Sequence, residues 1–416
     1  MKSIMTLGLV TAAMLGSTGR TRAYEAEIDV TQMKVAASLN QFAFDFHGHL
    51  SREVEGNIAW SPYSYAMALG MCREGAEGKT LEELNKVLHL GAGVHASDMG
   101  DLMKTLESSK DFSLHSANGI WHAEGFPLLP GFQKTLEENF RAHVRKADFG
   151  ASEAVRTEIN GWVEKQTQGR ILDLLPQVSL SGQTSSVMVN AVHFQGPWAR
   201  AFDPTKSREM MFRGDAPGGM TEKTAAKEFP VRMMVEPSMP ARLGKADGWQ
   251  ILELPFVFNG KSGSLSFVAL LSDKGDLRDR EGALDAASWD RLMGSLKDDH
   301  VEVQIPRFKL HAGVDANRGR SILASMGMKS ALSPTEADFS RMSDAGKTGM
   351  GPIEHKMFIE VKEDGAEAAA ATAIVHTMED VEESASFRAD RPFLWAIIHK
   401  PSGLVLFMGR MEDPRN

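Results

Sequence analysis

The stretch Glu363-Asp364-Gly365-Ala366-Glu367-Ala368-Ala369-Ala370-Ala371-Thr372-Ala373 contradicts itself. Ala and Glu are strong helix formers, so propensity favours a helix. The run follows a strand-like segment, Met357-Phe358-Ile359-Glu360-Val361, and lacks the apolar stripe that docks a helix onto a core. Side chains this small can instead slide between two existing strands without clashing. The local reading is a loop built to change its place in the fold.

Bulk properties are those of an ordinary globular chain. Of 416 residues, 42% are hydrophobic and 24% charged. Length alone suggests two or three domains, but there is no Pro/Ser-rich linker and no internal repeat, and large β-containing folds often run long as one unit. The formal net charge of -9 and pI near 5.8 argue against nucleic acid, whose phosphates need a Lys/Arg footprint. Cys72 is the only cysteine, which excludes an intrachain disulfide. It reads as a small buried hydrophobe rather than a reactive thiol.

The N-terminus reads as an export signal over residues 1–23. Lys2 supplies the positive start, Ile4 to Leu15 the apolar stretch, and Gly16-Ser17-Thr18-Gly19 the small-residue exit. Arg20 and Arg22 make Thr21-Arg22-Ala23 a marginal cleavage context. The apolar run is shorter than the roughly 20 residues a bilayer requires, so no membrane span is expected. The expected location is secreted or extracellular, or periplasmic in a bacterium, with residues 24–416 forming one domain.

Helical periodicity runs through residues 31–50. Ser61 and Pro62 start a second helix reaching Arg73, and Thr80 with Glu83 reads as a capping box for a third through Leu88. Pro130–Phe140, Ser152–Gln166 and 313–327 also read as helices. Strands are expected at 112–121, 187–194, 250–256, 264–272, 301–310, 393–399 and 404–408, with a Pro401-Ser402-Gly403 turn between the last two. Helices crowd the first half and strands the second without βα alternation, which indicates α+β.

Catalytic and metal readings fare poorly. His47-Gly48-His49 places two rings i, i+2 on a helix, where they point apart, so no metal pair is expected. There is no Gly-x-Ser-x-Gly elbow, dinucleotide fingerprint, P-loop or His-Glu-x-x-His motif. Neither enzyme activity nor a cofactor is expected.

Several segments place the alanine run in context. These are Asn57-Ile58-Ala59-Trp60-Ser61-Pro62-Tyr63-Ser64, then Ile159-Asn160-Gly161-Trp162-Val163, then Val189-Asn190-Ala191-Val192-His193-Phe194-Gln195-Gly196 with Trp198. Ile305-Pro306-Arg307-Phe308, Ala337-Asp338-Phe339-Ser340, Asp390-Arg391-Pro392-Phe393 and Leu406-Phe407-Met408-Gly409-Arg410 follow in order. Taken together they resemble the serpin family over nearly the whole chain after the leader. The resemblance implies an α+β domain of three sheets and eight or nine helices, with an exposed reactive-centre loop at about 363–388. In inhibitory serpins a protease cleaves that loop and is held as an acyl-enzyme. The loop then inserts as a new central strand and the protease is distorted.

The residues suit that behaviour. Gly365 offers backbone freedom for a hinge running through Glu363, Ala366, Glu367, Ala368, Ala369, Ala370, Ala371 and Thr372. By the family pattern Ala366, Ala368, Ala370 and Thr372 face inward after insertion, and the charged Glu367 faces solvent. Ordering costs about 1–2 kcal/mol per residue against a net gain of about 1 kcal/mol per hydrogen bond. Strain stored in the uncleaved fold must therefore help drive insertion, and its stability is a matter of rate. The resemblance also implies a buried polar cluster controlling sheet opening, carried over to Ser61, Ser64, Asn190 and His355, with Trp198 at the end of the central strand.

Counting from the hinge by the family's usual length puts the reactive bond at Glu379-Asp380, with Met378 as the alternative first residue. The expected partner is a serine protease in a covalent acyl complex: glutamate-preferring for Glu379, aspartate-cutting for Asp380, chymotrypsin- or elastase-like for Met378. Glu379, Asp380, Glu382 and Glu383 either steer a protease with a basic rim or keep the loop soluble. Gln195 stands where many members carry Lys. Residues 97–110 mix Lys104 and Lys110 with Asp98, Asp101 and Glu107, so no heparin activation is expected. There is no Asn-x-Ser/Thr sequon, and a monomer is expected. The rival reading is a non-inhibitory serpin acting as carrier, chaperone or storage protein.

Overall fold

The computed structural model describes residues 28–91, 93–108, 112–214, 227–258, 261–273, 277–345, 348–351, 353–366 and 385–415. The expected leader (1–23), the hinge from Glu367 onward and all three candidate reactive-bond residues lie outside these. In chain order the described elements begin with α1 (Val30–Glu53), β1 (Ile58–Trp60), α2 (Pro62–Gly75), α3 (Gly78–Val87), α4 (Ala96–Glu107), β2 (Ser113–Ala123), α5 (Pro130–Phe140), β3 (His143–Ala147) and α6 (Ser152–Gln166). The middle supplies β4 (Ser186–Pro197), β5 (Arg208–Gly214), β6 (Lys227–Ala246), β7 (Trp249–Phe258), β8 (Lys261–Ser272), α7 (Leu277–Glu281), α8 (Ala286–Gly294) and β9 (Lys297–Pro306). The chain closes with β10 (Phe308–Val314), α9 (Ala316–Ser325), β11 (His355–Lys362), β12 (Gly365–Ala366), β13 (Ala385–Arg388), β14 (Phe393–His399) and β15 (Leu404–Met411).

Local chemistry accounts for the helix starts that matter here. Asp29 and Gln32 form a reciprocal capping box on α1. Ser61 caps α2, with Pro62 in its first turn. Nearly every residue of α2 is buried, the pattern of a helix enclosed on all sides. It therefore reaches the centre of the molecule and carries Ser61 and Ser64 there.

The six-stranded sheet runs β10-β11-β12-β4-β2-β3. The other sheet, in hydrogen-bonding order, is β1-β15-β14-β8-β7-β6-β9-β13, with β5 alongside β6. Of the three expected sheets, the second and third are fused through the 20-residue β6. Its first part pairs β5, its last part pairs β7, and a bulge at Glu236/Met239 bends it between. The main core fills the space between the two sheets and α1, α2, α4 and α5. A second, smaller core lies under α6, where Val155, Ile159 and Val163 meet Ala117, Val189 and Ala191.

Several expectations are corrected. Thr80 does not cap α3: its hydroxyl accepts from Asp338 N, and Glu83 accepts from Ser330 N and Ala331 N. A distant segment has taken both side chains as acceptors for its own backbone. The strand read at 301–310 breaks at Arg307 into β9 and β10. The helix read at 313–327 shrinks to α9, because β10 continues to Val314. The strand β6 was not read at all, since Pro230, Pro237 and Pro240 suppress a strand reading.

Candidate functional site

The six-stranded sheet contains a seam. β11 and β4 are parallel neighbours that pair directly at Met357↔Val192 and Phe358↔His193. Above that point β12 lies between them, antiparallel to both. Gly365 faces Lys362 on one side and Pro197 on the other, and Ala366 faces Val361 and Gly196. Gly365 and Ala366, at the head of the alanines, therefore already occupy the sheet. The strand expected to form only after cleavage has its first step in place.

Only glycine fits at the head of that wedge. Gly365 has φ +146°, and a Cβ there would lie 2.4 Å from the Gly196 carbonyl oxygen and 2.5 Å from Pro197 Cα. Trp198 organises the surroundings. Its indole Nε1 donates to the Lys362 carbonyl at 2.8 Å and its backbone N to the Asp364 carbonyl at 3.1 Å. Its ring stacks on Phe256 with centroids 4.8 Å apart. Phe202 N donates to the Glu363 carbonyl at 2.8 Å, and the Glu363 carboxylate meets Arg307 at 3.4 Å. Gln195 lies one residue before the Gly196 that pairs with Ala366, and is itself opposite Ser113.

Below the wedge the structure brings Ser61, Ser64, Asn190 and His355 into one buried chain of hydrogen bonds. His355 Nε2 accepts from Ser61 N at 3.0 Å. Ser61 Oγ donates to the Leu406 carbonyl at 2.6 Å and accepts from Ser64 N at 3.1 Å. Ser64 Oγ donates to Asn190 Oδ1. Asn190 Nδ2 then donates to Asn118 Oδ1 at 2.6 Å, and Asn118 Nδ2 to the Phe140 carbonyl at 2.8 Å. The chain ties β11 to α2, β4, β2 and the end of α5. Opening the seam therefore disturbs groups on both of its sides at once.

His355 is neutral in this setting. Burial pushes its imidazole down to about 3. Because Nε2 accepts, the proton sits on Nδ1, which has no acceptor among the described residues. A buried donor left unsatisfied costs about 1–3 kcal/mol.

Two residues at the seam escaped the sequence reading. Asn118 lies within the strand read at 112–121 with nothing local to single it out, and Arg307 entered only as part of the Ile305-Pro306-Arg307-Phe308 segment. His47 is buried against Glu281 at 2.7 Å and accepts from Trp60 Nε1 at 3.2 Å, while His49 lies half-buried at the surface. Among the described residues there is no cluster able to hold a metal, and no helix is long and apolar enough to cross a membrane. Cys72 is buried, and burial pushes its thiol up to about 12.

Comparison with known proteins follows the same outline. The family model described as Serpin (serine protease inhibitor) matches residues 37–414. An uncharacterized serpin-like protein of Thermococcus kodakarensis is 34% identical over 96% of this chain and 90% of its own length. The leukocyte elastase inhibitor of Xenopus laevis is 31% identical over 91% of this chain and 99% of its own. Among solved structures, a highly specific serpin of the insect Tenebrio molitor superposes with TM-score 0.78 at 28% identity, covering 92% of this chain and 99% of that one. Human thyroxine-binding globulin complexed with thyroxine shares the fold, with TM-score 0.78 at 24% identity over 93% and 100% of the two chains.

Proposed function

Since this chain belongs to the serpin family, we propose that it is an inhibitory serpin, a suicide substrate that traps a serine protease as an acyl-enzyme. The observation that carries this reading is the wedge. Gly365 and Ala366 already stand between β11 and β4, and the residues that follow are almost all small. Extending β12 downward would replace the β11–β4 pairing with two new ladders. On the face of Ala366, which packs in the main core, the inward positions Ala368, Ala370 and Thr372 would add little bulk. A carrier or storage role would place no such demand on side-chain size along the hinge, so the hinge composition favours inhibition.

The reactive bond in this reading is Glu379-Asp380, with Met378 as the alternative, and the partner is a serine protease. Export after removal of a leader near residue 23, and a monomeric state, belong to the same proposal. N-terminal sequencing of the mature protein and its sedimentation test them.

The test of function is incubation with a panel of serine proteases followed by denaturing electrophoresis. The expected result is a detergent-stable complex and a fragment ending at residue 378, 379 or 380. Clean cleavage without complex, and without a rise in thermal stability, would show that the chain is not an inhibitor. Ala368→Arg is expected to turn inhibitor into substrate, with complex falling at least tenfold and cleavage continuing, because a charge on an inward face must be buried on insertion. Normal trapping by that variant would refute the insertion argument.

A further inference from the structure

Below its two paired residues the seam does not close. β4 is bonded to β2 from Ser186 to Gln195, but on its other edge its first partner is Met357, opposite Val192. The same parallel register carried downward would set Ile353 against Met188 and Gly351 against Ser186. Among the described residues no such pair forms. The two segments instead stand apart around a cavity of about 280 Å³. The segment after α6 lines it with Leu175 and Leu180, β4 with Met188, and the 339–350 stretch with Phe339, Met342 and Met350. Three methionines make this an adaptable apolar wall.

Among the described lining residues only Glu354 carries a charge, and no Lys, Arg or His stands beside it on the wall. Glu354 is half-buried, and no hydrogen bond or ion pair holds its carboxylate. Its charged neighbours are Asp315, which caps α9, and Lys356, which donates to the Asp173 carbonyl. Burial, and then the charge of Asp315, push the Glu354 carboxyl above its ordinary value, and Lys356 offsets this only in part. A carboxylate so placed is short of a cation. Partly withdrawn from water, it gains more from an ammonium group than it would in bulk solvent.

We propose that this cavity is a binding site for a small cationic amphiphile, an amine whose apolar body lies among Met188, Met342 and Met350 and whose ammonium donates to Glu354. At about 30 Å³ per water the cavity has room for about nine, the size of one ring carrying a short chain. The ammonium neutralises a charge the fold leaves unmatched, and the ring buries its own surface against the methionines. In the insertion reading, β12 lengthening downward would pass between residues 349–354 and β4, so an occupant would stand in its path. That consequence rests on the reading above; the site does not.

The test titrates phenethylamine into the full chain near neutral pH and physiological salt, with affinity read by ligand-observed NMR. Phenethyl alcohol, its neutral isostere, and the anion phenylacetate are the comparisons. The amine is expected to bind at least about tenfold more tightly than the alcohol, the lower end of what a hydrogen bond to a charged group contributes, and phenylacetate more weakly than either. Glu354→Gln should bring the amine down to the level of the alcohol and leave the alcohol unchanged. Gly351→Trp adds bulk to the cavity wall at a position where a Cβ meets nothing within 4 Å, and should weaken both. Thermal melting checks that each variant folds. Glu354→Gln loses no hydrogen bond and keeps the test available even if the tryptophan variant fails to fold. The proposal is overturned if amine and alcohol bind alike, if Glu354→Gln keeps the preference for the amine, or if amine binding survives Gly351→Trp in a folded protein. Protease trapping is assayed in parallel. A chain that binds the amine but never traps keeps the site and loses the inhibitor reading; the reverse result loses the site alone.

Discussion

The top of the seam and its centre are held shut by different chemistry. At the top, β12 is bonded to both neighbours through the backbone, Trp198 tethers the Lys362 and Asp364 carbonyls, and the ion pairs Arg307–Glu363 and Lys362–Asp364 are both partly solvated. In the centre, buried side chains from α2, β2, β4 and β11 form a single hydrogen-bonded chain. Backbone pairing is interchangeable: each residue added to β12 remakes the kind of bond it displaces. A buried side-chain network has no such substitute, and opening it exposes several polar groups together. In the proposed insertion, the top would set the direction and the centre the rate.

The largest effect is expected at the centre. His355→Ala removes the acceptor of Ser61 N and the edge-on contact with Tyr65, whose ring centroid is 5.8 Å away. It should cost about 3 kcal/mol in unfolding experiments and speed spontaneous conversion to the inserted form. If it cost less than Arg307→Gln, the contrast drawn between the two regions would collapse.

Next is the top itself. Gly365→Ala forces a side chain against the Gly196 carbonyl at a φ that L-residues rarely adopt. It should expel β12 at a cost of about 2 kcal/mol, read as faster exchange at Gly196 and Ala366 with the centre unchanged. Simultaneous loosening of 190 and 355 would show that top and centre are one unit.

Acid acts through two buried histidines at once, one in each sheet, and is not a single-site effect. Burial holds His355 at about 3 and His399, in the other sheet, at about 4, both below the unfolded value of 6.5. Such a group binds its proton only on unfolding. The stability it lends is whole above pH 6.5 and is lost as pH falls toward the native value. The slope approaches about 1.4 kcal/mol per pH unit for each group. Urea unfolding between pH 7.5 and 4.5 checks this, and His399→Gln should remove one share without touching the seam. The smallest effect is Arg307→Gln, expected at under about 1 kcal/mol because its partner pair is partly solvated. Added salt should mimic it.

Much of this was legible in the chain. The bounds of α5 and α6 follow from periodicity, with Pro130 opening α5, and Ser61-Pro62 announces α2. The polar residues of the seam, Ser61, Ser64, Asn190 and His355, were placed by the family resemblance rather than by any local signal. Thr80 and Glu83 misled for the opposite reason: their spacing satisfied a local rule, but a segment some 250 residues away used them instead. β6 was hidden because proline normally argues against a strand; Pro237 falls at the bulge, while Pro230 and Pro240 stand in register opposite Met211 and His300.

Side-chain size and order along 363–373, the buried polar types and the absence of any nucleophile motif are properties of the sequence alone, and they suffice to mark a loop suited to becoming a strand. That Gly365 and Ala366 already stand inside the sheet, that Asn118 completes the central network, and that a pocket opens where the β4–β11 pairing stops emerged only once strands distant in the chain came into register. Composition and periodicity act within one segment. Register between β2, β4, β10 and β11 is set by the packing of the whole sheet, and nothing local to any one of them specifies it.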